Sequence, residues 1–162
     1  MDDETSWGRA EVIDLASERI RRGLATLRSV ELWAEQEAEK SGLAAAPTDR
    51  ERVEAAPLAL ARIEGSQSAY TEVAARMAAY QRVDGDVPDV RVILAAEQAL
   101  CEAERDAART VVRLVDGEES DHALGRAEGF DVAARRIGGL LERRIVSPTT
   151  SAASVPAWRA WQ

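Results

Sequence analysis

The chain has 162 residues, the size of one domain or of one domain with a tail. Its formal net charge of −8 disfavours nucleic acid as a partner, because such binding needs a basic surface. A single cysteine excludes a disulfide framework and a cysteine-rich zinc site. No apolar run approaches the length of a transmembrane helix, and the acidic start Met1-Asp2-Asp3-Glu4 is unlike a signal peptide. We therefore expect a cytoplasmic protein without a membrane partner.

The first predicted helix runs from about Ser6 to Ser41, and Gly42 follows it as a stop signal. Apolar and small residues recur in it with the 3-4 spacing of a coiled-coil seam. These residues are Ile13, Ala16, Ile20, Gly23, Leu27, Val30 and Ala34.

The second predicted helix begins at a capping box formed by Thr48 and Glu51. Pro57 interrupts it, so the sequence predicts a kink there or a restart. Its stripe consists of Val53, Ala56, Leu60, Ile63, Gln67, Tyr70, Ala74 and Met77. Residues 84–88 contain Gly85 and Pro88 and indicate a turn.

The third predicted helix begins near Asp89 and ends before Gly117. Its stripe, which we expect to face the core, is Ile93, Ala96, Leu100, Ala103, Ala107, Val111 and Leu114. The fourth begins near Ser120 or Asp121 and ends before Pro148. Its stripe is Ala123, Ala127, Phe130, Ala134, Ile137, Leu141 and Ile145.

No segment alternates with the period of a strand, and four long helices with short loops favour one architecture. We expect an all-α antiparallel four-helix bundle, or a pair of long αα-hairpins, over residues 1–146. Residues 147–162 are small, polar and aperiodic, and they predict a flexible tail. Residues 59–65 resemble residues 123–129 at an offset of 64, which duplication of a hairpin or coincidence would explain.

Eleven of the 29 stripe positions are alanine or glycine. Such a core buries little apolar area per residue, so the helices must approach closely or gain burial from another chain. The sequence therefore predicts a homo-oligomer.

Glu31, Glu35 and Glu39 share one face of the first helix and are candidates to hold a divalent cation. With Glu37 and the pair Glu128 and Asp131, they loosely resemble the acids of the all-α nucleoside triphosphate pyrophosphatases. This resemblance implies Mg²⁺-dependent nucleotide hydrolysis. The two adjacent glutamates followed by a third in that family are absent here. A solvated acidic face is the simpler interpretation.

Other chemistry-bearing residues do not form complete sites. Glu119 and His122 have the Glu-x-x-His spacing of di-iron bundle proteins, but the chain has one histidine where two such fragments are needed. Cys101 has no base near it in the sequence, so we expect a small, partly buried thiol. Without a phosphate loop or a paired base and nucleophile, we expect no catalytic site and no cofactor.

Tyr80 and Asp84 form a Tyr-x-x-x-Asp pattern after a predicted helical hairpin. It resembles the export signal of the small helical-hairpin substrates of type VII secretion, and the resemblance implies a secreted protein. The Trp-x-Gly turn of that family is missing; Trp7-Gly8 is the nearest pair.

The end of the chain carries Trp158 and Trp161 with Arg159 between them. These tryptophans either fold back onto the bundle or form a docking segment, and tryptophan is enriched at binding hot spots. The sequence thus predicts a non-enzymatic interaction or scaffold protein that self-associates and docks a protein partner through its tail. The nucleotide hydrolase and the secreted hairpin protein are its alternatives.

Overall fold

A computed structural model describes residues 4–45, 57–82 and 89–143, with side chains in the first of these ranges described for residues 17–42. These ranges contain four helices and no strand: α1 (Glu4–Ala45), α2 (Pro57–Gln81), α3 (Val90–Val112) and α4 (Glu118–Arg143). The predicted all-α bundle is confirmed. The capping box at Thr48 and the predicted tail, residues 147–162, lie outside the described residues.

Three helix ends follow local signals in the sequence, whereas the predicted stop at Gly42 is wrong, because α1 continues to Ala45. Pro57 is the first residue of α2, where its missing N–H costs nothing. The Asp89 carboxylate accepts a hydrogen bond from the backbone N–H of Arg91 at 2.9 Å and so caps α3. Gly117 has φ of 71° in the turn between α3 and α4, a conformation that glycine adopts at low cost.

Consecutive helices form two antiparallel hairpins. In the first, Gln81 at the end of α2 donates to the Glu31 carboxylate in the middle of α1. In the second, Arg105 of α3 donates to Asp131 of α4. About two turns earlier on α3, Gln98 lies against Gly138, which is about two turns later on α4. The molecule therefore matches the paired-hairpin form of the prediction.

The hairpins meet through α2 and α4, which run in the same direction. The Ser66 hydroxyl donates to the Gly125 carbonyl at 3.0 Å, and one turn further along both helices Ala69 lies next to Gly129. Contacts that advance together along two helices define a parallel pair. The spatial order is thus α1, α2, α4, α3, with a light contact between α1 and α3.

Two glycines allow this parallel contact. A Cβ on Gly65 would lie 2.0 Å from the backbone oxygen of His122, and one on Gly125 would lie 1.9 Å from that of Arg62. Neither distance is possible for real atoms, so both positions need glycine. Gly125 and His122 of α4 follow Gly65 and Arg62 of α2 by 60 residues each, so each helix presents the same two positions to the other. This exchange relates α2 and α4 by an approximate twofold axis.

The buried positions of α2 follow the same relation. Residues 65, 69, 70, 73, 74 and 77 are buried, and so are residues 125, 129, 130, 133, 134 and 137. The sequence similarity noted above has an offset of 64, about one helical turn away. Duplication of a hairpin stays a hypothesis.

The core is built from a few large side chains among many alanines. The largest fully buried residues include Phe130, Leu27, Met77, Ile137, Val30 and Val73. Between Gly23 and Ala34 the predicted stripe of α1 is buried, and so is that of α4 from Ala123 to Ile137. Within the described ranges, no helix is long and apolar enough to cross a membrane.

Helix α1 is much longer than its partners, with 42 residues against 25 in α2. Glu31 already lies beside the end of α2, and Gly23 lies against Val90, the first residue of α3. The helix before Gly23 therefore extends beyond both neighbours, over about 28 Å at 1.5 Å per residue. Ile20 in this extension is exposed, while the side chains of Ile13 and Ala16 lie outside the described residues.

Candidate interaction surface

Helix α3 does not bury the face that its apolar pattern predicts. The buried residues are Val90, Ile93, Leu94, Glu97, Cys101 and Ala108. Of the predicted stripe, only Ile93 is among them, so the expectation that this stripe faces the core is wrong. The physical reason is Arg76 of α2, which binds the Glu97 carboxylate and allows a charged residue to occupy the core side of α3.

The remaining stripe residues lie on the solvent side, and we call them the α3 stripe: Ala96, Leu100, Ala103, Ala107, Val111 and Leu114. Leu100 and Val111 are each 37% exposed, and Leu114 is 76% exposed. Their spacings of three and four residues resemble those of a coiled-coil seam, with two successive spacings of four at Ala107. A contiguous exposed apolar patch of this kind typically marks an interaction site.

Four charged residues lie on another face of α3, about 130° around the helix from the α3 stripe, in the order Glu102, Asp106, Arg109 and Arg113. At 3.6 residues per turn they share one edge of the helix, so this edge has an acidic half followed by a basic half. The Asp106 carboxylate binds Arg105 at 2.8 Å and lies 3.9 Å from Arg109 on its own helix. More than half of the side-chain surface of both Asp106 and Arg109 remains open to solvent.

A shallow groove of about 280 Å³ adjoins the α3 stripe. Ala107 and Val111 line it from α3, while Glu119 and His122 line it from α4. The Glu119–His122 pair of the sequence pattern is thus at this groove. The described residues contain no group of three or more His, Cys, Asp or Glu side chains placed to hold a metal ion.

A buried polar cluster joins α2 to α3 beneath the α3 stripe. The Arg76 guanidinium donates to Oε1 of Glu97 at 2.8 Å, and the Cys101 thiol lies 3.5 Å from the same oxygen. Glu97 is fully buried, and its Oε2 has no hydrogen-bond partner among the described residues. Burial, partly offset by Arg76, raises the pKa of Glu97 above its usual range.

The same surroundings make Cys101 a poor nucleophile. Burial, followed by the negative charge of Glu97, raises the pKa of the thiol to about 12. Because the thiolate is the reactive form, this cysteine is inert at neutral pH. The expected buried thiol is confirmed, but the sequence reasoning missed Glu97. A glutamate within a helix four residues before a cysteine carries no signal of burial.

The three glutamates of the predicted acidic face on α1 do not share one environment in the structure. Glu31 is buried and accepts hydrogen bonds from Arg28 and from Gln81, the latter at 2.6 Å. The hydrogen bond from Arg28 is the largest effect that lowers the pKa of Glu31. Glu35 and Glu39 are exposed. Glu31 therefore belongs to the contact between α1 and α2 rather than to a solvated site with the other two.

The other residues that the sequence singled out are dispersed. Glu128 pairs with Arg62, and Asp131 pairs with Arg105, so these acids hold helices together. Tyr80 is partly buried at the end of α2, while Asp84 lies outside the described residues. Trp158, Arg159 and Trp161 also lie outside them. In comparisons with protein-family models, curated proteins and solved structures, nothing matches this chain.

Proposed function

We propose that this protein is a non-enzymatic helical interaction module that self-associates and presents its C-terminal segment to a protein partner. The observation that carries this proposal is the exposure of the α3 stripe on a helix whose opposite face is packed in the core. Burial of Leu100, Val111 and Leu114 by a second molecule gains free energy that the folded monomer leaves unused.

Two further features support self-association. Among the described residues the core contains nine buried alanines, each of which contributes little apolar area. The extension of α1 also carries Ile20, which is 47% exposed next to Arg19, whose guanidinium binds Asp89 at the start of α3. Both features are typical of a chain that completes its burial by pairing.

Multi-angle light scattering tests the first half of the proposal. We expect a mass of at least two chains over a range of micromolar concentrations. A mass of one chain at every concentration would contradict self-association.

The docking role of the C-terminal segment has its own test, in which Trp158 and Trp161 are both replaced by alanine in the full chain. We expect the helicity, the melting temperature and the oligomer mass to stay unchanged while capture of the partner is lost. The matched control is replacement of Trp33, which packs edge-on against Tyr70 at 5.7 Å and should lower the melting temperature. If the tail variant loses as much stability as the Trp33 variant, its tryptophans belong to the core.

The nucleotide hydrolase alternative makes a different prediction. It requires a cluster of acids, yet Glu31 is held between α1 and α2 by Arg28 and Gln81. A thermal shift of several degrees with Mg²⁺ and a nucleotide, abolished by Glu35→Ala, would favour the hydrolase over the interaction module.

A further inference from the structure

We infer that Arg76 and Glu97 form a proton-operated switch, which ties α2 to α3 when Glu97 is ionised and unties them when Glu97 binds a proton. On proton binding, the Arg76 guanidinium leaves Glu97 and pairs with Glu72 on its own helix. A contact between two helices is thereby exchanged for a contact within one helix. This inference goes beyond the proposed self-association and is independent of it, because all the groups that take part belong to one chain.

The Arg76 guanidinium lies between two carboxylates with different surroundings. Its Nε and Nη2 each lie 2.8 Å from Oε1 of Glu97, which is fully buried. Its third nitrogen, Nη1, lies 3.8 Å from Oε2 of Glu72, whose side chain is 38% exposed. Because a charge-assisted hydrogen bond measures about 2.7–2.9 Å, a shift of about 1 Å gives Arg76 a direct bond to Glu72. The exchange therefore needs the movement of one side chain and not of a helix.

Among the described residues, one oxygen of Glu97 carries all of its hydrogen bonds. Arginine often binds a carboxylate through two parallel bonds, one to each oxygen. Here both nitrogens of Arg76 share Oε1, and the Cys101 thiol lies 3.5 Å from the same atom, while the buried Oε2 is unpartnered. A charged oxygen that is buried without a partner is costly, and a proton on Oε2 removes that cost. The geometry thus favours proton uptake at this atom, and the raised pKa of Glu97 has the same direction.

The charges around this switch include one carboxylate more than the cations can pair. An alternating network runs from α3 through α2 and α4 back to α3, in the order Glu97, Arg76, Glu72, Arg126 and Glu104. Within it, three carboxylates share two guanidinium groups. Glu72 and Glu104 are 38% and 39% exposed, so water stabilises their charge, whereas Glu97 is fully buried. A proton that balances the network is therefore bound most favourably at Glu97.

The other titratable groups packed around Glu97 keep their charge as the pH falls from 7 toward 4.5. Tyr80 of α2 and Cys101 of α3 face it, and burial raises the pKa of both, that of Cys101 to about 12. Among the described residues, α4 buries no titratable side chain. Helix α1 buries Glu31, and the hydrogen bond from Arg28 lowers the pKa of Glu31, so it stays ionised. Proton uptake in this range is thus assigned to Glu97.

The native Cys101 reports the state of the switch. Nη2 of Arg76 lies 3.8 Å from its Sγ. Of the three bound residues, Glu97 and Cys101 are fully buried, and Arg76 alone reaches solvent, with 24% of its side chain exposed. The guanidinium therefore covers the thiol, and its move toward Glu72 uncovers it.

Labelling of Cys101 in the full chain with dithiodipyridine measures this opening, with the rate in the urea-unfolded chain at the same pH as the reference. Protection relative to that reference should fall about tenfold for each unit of pH between pH 7 and the pKa of Glu97, because one proton operates the switch. Protection that is constant with pH would overturn the inference. Protection that depends on the chain concentration would also overturn it, because a second copy would then cover the thiol.

Two variants separate proton binding from the exchange of partners. Glu97→Gln cannot ionise, so its thiol should be as open at pH 7 as the wild-type thiol is near pH 4.5. Glu72→Gln removes the second carboxylate and should keep the thiol protected at low pH. The matched control is Glu64→Gln, the same change at an exposed position about two turns earlier on α2, which should keep the wild-type pH dependence. Opening of Glu72→Gln at the wild-type pH would contradict the exchange.

Nuclear magnetic resonance follows both partners in the wild-type chain, so this test does not depend on the folding of a variant. Carbon-13 signals of the glutamate carboxyl groups report Glu97, and nitrogen-15 signals of the arginine Nε atoms report Arg76. The two should change with one midpoint, which should lie above the ordinary value of 4.5. A Glu97 midpoint at or below 4.5, or an Arg76 signal that stays constant while Glu97 titrates, would overturn the switch.

Discussion

Helix α2 meets its two neighbours in the second hairpin by opposite means. Against α4 the backbones touch, because Gly65 and Gly125 remove the side chains that would separate them. Toward α3 the contact is made by long side chains, with Arg76 reaching across to the buried Glu97. The first contact fixes the register of two helices through shape. The second contact places the Glu97 carboxylate in the core, where it depends on Arg76 as its charged partner.

The difference shows how an alanine-rich chain obtains a defined fold. Close backbone packing compensates for the small area of each alanine, since many atoms come within contact distance. The ion pair adds little net stability, because desolvation of the two charges offsets most of their attraction. The two contacts therefore respond differently to substitution.

The largest expected effect comes from Arg76→Met. It leaves the fully buried Glu97 without its cation, and loss of one partner of a buried pair costs about 3–5 kcal/mol. Urea unfolding followed by circular dichroism measures the loss. Glu97→Gln should cost less than half as much, because Arg76 is partly exposed and keeps Glu72 at 3.8 Å.

The double variant Arg76→Met with Glu97→Leu is the control for this asymmetry. Apolar residues of similar volume often replace a buried ion pair without loss, so most of the stability should return. A double variant as unstable as Arg76→Met alone would show that packing, rather than the unpaired charge, determines the cost.

A smaller effect is expected from Gly65→Ala at the contact of α2 with α4. The new methyl group forces the backbones apart, which typically costs about 1–3 kcal/mol. Gly139→Ala in α4 is the matched control, because no atom lies within 4 Å of its added Cβ. That variant should gain about 0.5–1 kcal/mol from helix propensity. Equal losses in the two variants would refute the close contact.

The smallest effect is a pH dependence of the Arg76–Glu97 contact. Burial raises the pKa of Glu97 above the unfolded value of 4.5, so its contribution to stability is complete below pH 4.5 and declines as the pH rises through the folded value. The wild-type chain should therefore gain stability relative to Glu97→Gln as the pH falls from 7 toward 4.5. Each unit of pKa elevation adds about 1.4 kcal/mol to this gain.

Urea unfolding of both proteins at several pH values measures that difference. Other carboxylates, such as Glu31 with its lowered pKa, are common to both chains and cancel in the comparison. A difference that is constant with pH would show that Glu97 titrates normally in the folded protein.

The sequence predicts the helices well because their ends carry local signals. Asp89 caps α3, Gly117 separates α3 from α4, and the stripes of α1 and α4 are buried from Gly23 to Ala34 and from Ala123 to Ile137. Such signals act over a few residues and are readable without the fold.

The burial of α3 was not predictable in this way. The apolar residues of the α3 stripe recur more regularly than the residues that α3 buries. A reading of the pattern alone also assigns Glu97 to the solvent side, because glutamate is charged. Glu97 is buried because Arg76 lies on another helix, at a distance along the chain that no local pattern reports. The parallel pairing of α2 with α4 was also missed, since it depends on contacts between glycines of separate hairpins. The function of the terminal tryptophans stays a prediction.

The length of α1 has a consequence for how far the chain reaches beyond its packed helices. Gly23 lies against Val90, the first residue of α3, whereas α1 begins at Glu4. At 1.5 Å per residue, the start of α1 lies about 28 Å along the helix axis from Gly23. Anything bound to the start of α1 is therefore held at that distance from the contact between α1 and α3.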